Sequence, residues 1–416
     1  MLRRTISVLF AVLLFLSFIG EPSAATWSFD QIIKEACTTY PSVLSKESAR
    51  SAAGEDLKTA KWQRFPNPSV ETGCNKGGNN YLTGRVDQIL WAGGRISSGI
   101  DAAKSTYDAA DKAILEDKYS VAFKVIEAYV DALRQQGRRT ISQTNVKQHE
   151  LLDDTIKRRV DAEVSPEVDR RLSRARLAQA SNELSTFLQA LAKSLTQLSQ
   201  LSGKDVTEVA TIDFSSIKLP DNKTAAIKQA VSVSPTLSRI AFEESAAESQ
   251  IKQRKSAFWP SISLRYEKSY YNYGDQSYPY NNYSNEQFLI VLQAQPGAGL
   301  SAYSGMQSAV ARKKTVQEQR KASLRELTQA VSDAWDEMTA AKGRLEDSIL
   351  AKSSSIDVFE SYKKQFITGR KSWLDVMNAV REATQSEINV VDVEAQVEIA
   401  ALRLALLTGN LNLGTP

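Results

Sequence analysis

The chain contains the same structural unit twice, and that duplication constrains its fold more than any other feature. Pro41, Ser51-Ala52-Ala53, Leu57-Lys58, Lys61, Phe65-Pro66 and Ser69 reappear 194 positions later as Pro235, Ser245-Ala246-Ala247, Ile251-Lys252, Lys255, Trp259-Pro260 and Ser263. Gln88 and Gly94 match Gln293 and Gly299 at a shift of 205. Val125, Ala128-Tyr129, Val168-Asp169 and Leu198-x-x-Leu201-Ser202-Gly203 match Val331, Ala334-Trp335, Leu374-Asp375 and Leu404-x-x-Leu407-Thr408-Gly409 at a shift of 206. Chance supplies any one of these matches, whereas a slowly stepping offset along the whole chain is specific. Nearly all the difference in length falls between residues 70 and 88 of the first copy. The copies are expected at 26–210 and 223–416, joined by a linker at 211–222, as parts of one continuous domain.

Proline and glycine punctuate each copy unevenly. There is no Pro between Arg95 and Ser165 and none between Gly297 and Thr415, and both stretches are rich in Ala, Leu, Gln, Glu, Lys and Arg. Those are good helix formers, so very long helices follow. A helix from Arg95 to about Val160 spans about 90 Å at 1.5 Å per residue, and needs partners along its whole length, as in coiled coils. Ser261 to Glu267 alternates polar and apolar, the period of a strand with one wet and one dry face. Tyr81 to Trp91 does so less cleanly, with Leu82, Val86 and Leu90 opposite Thr83, Arg85 and Asp87. Each copy therefore reads helix, short strand, loop, short strand, very long helix, turn, helix. The loop from Tyr270 to Asn285 carries six Tyr among Asn, Gly and Pro. It reads as a surface loop with aromatics at a membrane interface, with a ligand-binding loop as the alternative.

Catalysis is disfavoured by composition. One His and two Cys in 416 residues leave few nucleophile and base pairs and no zinc cluster. No cofactor or metal is expected. A net charge of +4, spread evenly, lacks the concentrated basic face that nucleic acid requires. Residues 1–25 read as a secretory signal peptide: Arg3 and Arg4, an apolar run from Ile6 to Ile19, and Pro22-Ser23-Ala24-Ala25 as the cleavage site. Cys37, on a predicted helix, and Cys74, on a predicted strand, are expected to be free thiols.

A secreted chain with four amphipathic strands faces a physical problem. Four strands cannot close a barrel, and open edges cannot face lipid, so strands that span a membrane must complete a barrel with other chains. Three chains give twelve strands. The helices would run on from them through Trp91-Ala92-Gly93-Gly94-Arg95 and Pro296-Gly297-Ala298-Gly299, where the glycines tolerate positive φ.

With these features the chain resembles the TolC family of trimeric outer-membrane export channels. The resemblance rests on Trp27 to Pro41, the duplicated helix and strand pattern, the Gly-Gly-Arg junction, the turn from Gly369 to Ala379 and the closing Leu407-Thr408-Gly409. It covers essentially the whole mature chain. It implies a mainly α chain with a small β part, a homotrimer whose twelve-stranded barrel sits in outer-membrane lipid, and a long helical tunnel across the periplasm. It also implies a passive conduit, supplied by a periplasmic adaptor and an inner-membrane ABC transporter or proton-driven pump.

Within the resemblance, the two helix-to-helix turns form the periplasmic tip. Asp375 would join a carboxylate ring at the pore constriction, Asp169 matches the acidic residue of the first turn, and Lys371 and Phe366 take gate-latching positions. Asn378 stands where the family has a second acid, and Glu163 where it has Gly. Ser372-x-x-Asp375 is also a capping box, and the two roles coexist. In the first turn Ser165 is expected as N-cap with Pro166 at the first helical position. Arg158, Arg159, Arg170, Arg171, Arg174 and Arg176 make the most basic part of the chain, either a solvated helix face or a docking surface for an adaptor tip, together with Gly369, Ser372, Ser165 and Pro166. The Ser-Pro-Glu-Val-Asp turn resembles the branch that serves type I protein secretion. Multidrug efflux is the alternative, and a non-channel coiled-coil scaffold a further one that the paired hairpins disfavour. Gly297-Ala-Gly299 lacks the third glycine of a dinucleotide fingerprint, the tripeptides at Asn222 and Asn282 carry no role, and His149 is expected mid-helix, facing water or a neighbouring helix.

Overall fold

The computed structural model describes residues 26–74, 80–214, 217–273, 281–295, 297–299 and 301–413. The signal-peptide segment 1–25 and Pro296 lie outside the described residues, as does 274–280, the centre of the tyrosine-rich segment. The elements run β1 (Thr26–Trp27), α1 (Phe29–Thr39), α2 (Pro41–Trp62), β2 (Asn67–Cys74), β3 (Asn80–Trp91), α3 (Arg95–Asp161), α4 (Glu167–Ser202) and β4 (Glu208–Val209). Then come α5 (Lys223–Val233), α6 (Pro235–Lys255), β5 (Ser261–Tyr273), β6 (Asn281–Gln293), α7 (Ser301–Ile367) and α8 (Trp373–Leu407). The proline-free stretches became the two long helices, α3 and α7, each of 67 residues. No described helix is long and apolar enough to cross a membrane.

Two compact units partition the chain, and each takes segments from both sequence copies. One comprises residues 41–118 and 230–329. Its sheet has the order β2-β3-β5-β6, all antiparallel, with the hairpin of one copy joined to the hairpin of the other through β3 and β5. The tyrosine-rich segment is a correction to the sequence expectation: β5 continues to Tyr273 and β6 begins at Asn281, so Tyr270 and Tyr271 pair in the ladder. Tyrosine has high strand propensity, and it outweighs the loop-like Asn272 in the same run. In the helices of this unit Arg239 bonds Glu116 and Glu243, Ser42 donates to Asp117 at 2.5 Å, and Arg50 meets Asp111 at 3.1 Å.

The other unit takes residues up to Tyr40, 119–229 and 330–416. Tyr129 of α3 is fully buried, and its hydroxyl donates to the carbonyls of Ala210 (2.7 Å) and Trp27 (3.0 Å), beside the short parallel β1/β4 pair. Phe29 meets the Tyr129 ring edge-on at 5.3 Å. Arg138 of α3 forks both oxygens of Asp392 of α8 at 2.8 and 2.7 Å, a bidentate pair that fixes the register of the two helices. One residue before it, Gly137 faces Val391 so closely that a Cβ would lie 2.9 Å from Cγ1. Neither Cys37, which is buried, nor Cys74, which is exposed, is in a disulfide, as the sequence led one to expect.

Candidate functional site

The turn between α7 and α8 is closed on both sides by hydrogen bonds. Gly369, at φ 74°, donates to Phe366 O at 3.1 Å and Arg370 donates to Gln365 O at 2.9 Å, a double bond pattern that closes a helix through a left-handed residue. Ser372 then caps α8: its hydroxyl accepts from Asp375 N at 3.2 Å, while an Asp375 oxygen accepts from Ser372 N at 3.0 Å and from its Oγ at 2.8 Å. The capping box read from the sequence is formed. These bonds, the hydroxyl first and the backbone amide second, hold the Asp375 carboxyl below the usual carboxylate range.

The turn between α3 and α4 repeats the geometry with different residues. Glu163 donates to Val160 O at 2.9 Å and Val164 to Arg159 O at 2.8 Å, each bond 206 positions before its counterpart. Glu163 therefore occupies the place of Gly369, and at φ 59° it is the one non-glycine residue with positive φ among those described. A side chain in that conformation costs about 1–2 kcal/mol. Glu163→Gly is accordingly expected to raise stability by about 1 kcal/mol, after the entropic penalty of glycine is subtracted; a thermal melt showing no gain would mean the Glu163 side chain compensates the strain.

One expectation for this turn is corrected. Pro166 is the N-cap, with ψ 152°, and α4 begins at Glu167; Ser165 makes no cap bond and instead accepts from Arg159 Nε at 3.4 Å. The extended ψ of Pro166 leaves the helix one residue later than the Ser-Pro pattern suggests. Asp169 sits in the first turn of α4, as Asp375 does in α8. Arg170 reaches Asp161 at 3.8 Å.

Phe366 and Trp373 are buried, 5.3 Å apart, in a cluster with Leu152, Ile156, Val376 and Met377. Arg159 stacks over Phe366 at 4.7 Å, and Lys371 over Tyr362 at 4.1 Å. Asn378 is exposed. Four large apolar residues around the turns stay open to solvent: Val164, Val168, Ile367 and Leu374. Val168 and Leu374 are equivalents in the two copies, and neither was singled out by sequence as exposed. A few turns away His149 is buried, facing its neighbour helices as the sequence allowed. Burial first, and Arg176 second, lower its pKa.

The sheet, in the other unit, is a separate candidate site. Residues directly opposite in an antiparallel ladder share a face. Val86, Tyr266 and Phe288 form one row, Leu264 and Ile290 another, and Ile262 and Leu292 a third, all on a face where Phe288, Ile290 and Leu292 are largely exposed. The opposite face is polar and ion-paired: Arg85 to Glu267 at 3.0 Å, Arg265 to Asp87 at 2.6 Å, and Thr83 against Ser269 at 3.0 Å. At the exits from β3 and β6, Gly93, Gly94, Gly297 and Gly299 all have positive φ, from 57° to 85°. The expected reason for their placement holds. β2 and β6 are the sheet's two outer strands. An apolar face, a polar face and two open edges match a fragment of a transmembrane barrel.

Comparison with known proteins agrees with this geometry. The family described as outer membrane efflux protein matches residues 33–204 and 226–410, one match per sequence copy. Outer membrane protein TolC of Vibrio cholerae is 21% identical over 414 residues, covering 95% of this chain and 94% of its own. A membrane protein of Pseudomonas aeruginosa superposes with a TM-score of 0.79 at 18% identity, covering 92% of this chain and 93% of its own. The outer membrane protein VceC of Vibrio cholerae gives 0.77 at 16%, covering 92% and 96%.

Proposed function

Because the chain belongs to the outer membrane efflux protein family, we propose that it is the outer-membrane conduit of a tripartite export machine, assembled as a homotrimer and serving type I protein secretion. It is an outer-membrane efflux channel and not an enzyme. The single observation that carries the trimer is the four-stranded sheet with one apolar face, one ion-paired polar face and two open edges. Three such sheets close a twelve-stranded barrel and leave no edge to lipid. The two copies, 26–210 and 223–416, then act as one continuous channel domain. An ABC transporter and a periplasmic adaptor would hand over the cargo, the adaptor meeting the turns at Arg170, Arg171, Ser165, Pro166, Gly369 and Ser372. The open apolar residues Val164, Val168, Ile367 and Leu374, interspersed in sequence with Arg159, Arg170, Arg171 and Arg370, support docking at this end.

At the tip, Asp169 and Asp375 would each contribute three carboxylates near a common axis, with Lys371, Phe366 and Asn378 around them. Like charges so gathered draw in cations and, at Asp375, work against the Ser372 bonds that hold its carboxyl low in the single chain. Two substitutions separate pore chemistry from helix capping. Asp375→Asn is expected to change cation selectivity and its pH dependence in planar bilayers. Ser372→Ala is expected to cost about 0.5–2 kcal/mol in a thermal melt and leave selectivity alone. Unchanged selectivity across pH in Asp375→Asn would refute the ring. For the cargo, deleting the gene should remove a large protein from the culture medium; sensitivity to dyes and antibiotics with normal secretion would replace this reading by small-molecule efflux.

A further inference from the structure

At the end of the sheet where strands pass into helices lies a cavity of about 580 Å³ that the export reading does not use. Arg95, Arg254, Gln253, Gln293, Gln295 and Trp259 are among its walls, and no carboxylate of the described residues lines it. The segments that supply its walls carry no Asp or Glu over 88–100, 249–266 and 287–317, in a chain with 48 of them, and on the Arg254 side a carboxylate, Asp56, lines the neighbouring pocket. Neither guanidinium pairs with a carboxylate among the described residues. Arg95 is also the first residue of α3, whose first turn holds no acid. A cation at the positive end of a helix is unfavourable by itself and becomes favourable once an anion sits beside it.

Position and shape narrow the ligand. Ser261 and Gln293, both in the lining, are directly opposite in the ladder and lie on the polar face with Ser263 and Arg265. The cavity therefore opens on the face that would line the conduit. Gly93 holds its aromatic wall close, since a Cβ there would lie 2.7 Å from Trp259 Cβ, and Trp91 meets Trp259 edge-on at 6.4 Å. Trp259 is 62% exposed, a large apolar surface beside two guanidinium forks. The volume falls in the range of small-molecule sites, and guanidinium suits phosphate, sulfonate or carboxylate bound by two parallel bonds.

We propose that this cavity is an anion-binding site for small organic acids that pair a phosphate, sulfonate or carboxylate with an aromatic or apolar body. In an assembled conduit it would hold such groups at the exit from the helical part. Its conduit-facing role rests on the barrel reading, but binding itself does not. The test is calorimetric titration of the full-length protein in detergent with phenyl phosphate, with phenol as the neutral comparator. Saturable binding of phenyl phosphate and none of phenol is expected. Arg95→Gln/Arg254→Gln should weaken binding at least tenfold, and Arg95→Lys/Arg254→Lys, which keeps charge but loses the forks, severalfold. No saturable binding, or equal affinity in the glutamine variant, would overturn the site. Bilayer recordings on the same proteins keep the two ideas apart: binding without conductance sinks the conduit, and conductance without binding sinks the cavity.

Discussion

Ile290→Arg is expected to prevent stable insertion in the outer membrane, whereas Gln287→Arg is expected to insert normally. The two positions are three residues apart on β6 and differ in face. Ile290 is 78% exposed and pairs with Leu264 on the apolar face. Gln287 pairs with Glu267 on the polar face, where an added guanidinium finds a carboxylate. Arginine on the lipid face of a barrel costs about 2–4 kcal/mol near the midplane, and a trimer would bear it three times. Fractionation of the outer membrane, followed by electrophoresis without heating to preserve oligomers, reads both outcomes. Equal recovery of the two variants would mean that neither face meets lipid, and the barrel would have to be abandoned.

Much of this was readable in advance because the signals were long-range in number yet simple in kind. The 67-residue helices followed from absent proline and good helix formers. The junction glycines followed from the one property that distinguishes glycine. Duplication then carried each local reading to a second place: the Gly369 turn identifies the Glu163 turn, bond for bond, although the residue types differ. What stayed hidden depended on partners far away in sequence. The Arg138–Asp392 pair spans 254 residues, and the buried bond from Thr384 to Asn145 spans 239. Neither leaves a local pattern. The two-residue strands β1 and β4 are too short to show periodicity, and the misplaced N-cap at Ser165 turned on one ψ angle that residue type alone does not settle. The arginine-rich cavity was missed because its signal is an absence, three separate segments without a carboxylate.

Glu398→Gln is expected to stabilise the protein at pH 8 and to have no effect below about pH 4.5. Glu398 lies in α8, and burial, reinforced by Glu394 one turn earlier, raises its pKa from 4.5 to about 7. The folded state thus holds a proton that the unfolded state releases between pH 4.5 and 7. A raised pKa of this kind gives stability that is fully present below 4.5 and lost as pH rises through 7. At pH 8 this half-buried carboxylate is charged, at a cost on the order of 2 kcal/mol once solvent screening is allowed for. Glutamine keeps the shape without the charge. His149 works in the opposite direction: its lowered pKa makes the unfolded state bind the proton first, so stability falls as pH drops below 6.5. The wild-type profile is therefore a sum of opposed slopes, and His149→Gln must be melted alongside to remove the second. With both variants in hand, a Glu398→Gln gain at pH 8 that persists undiminished at pH 4 would show that the glutamine packs better rather than that a buried charge was relieved.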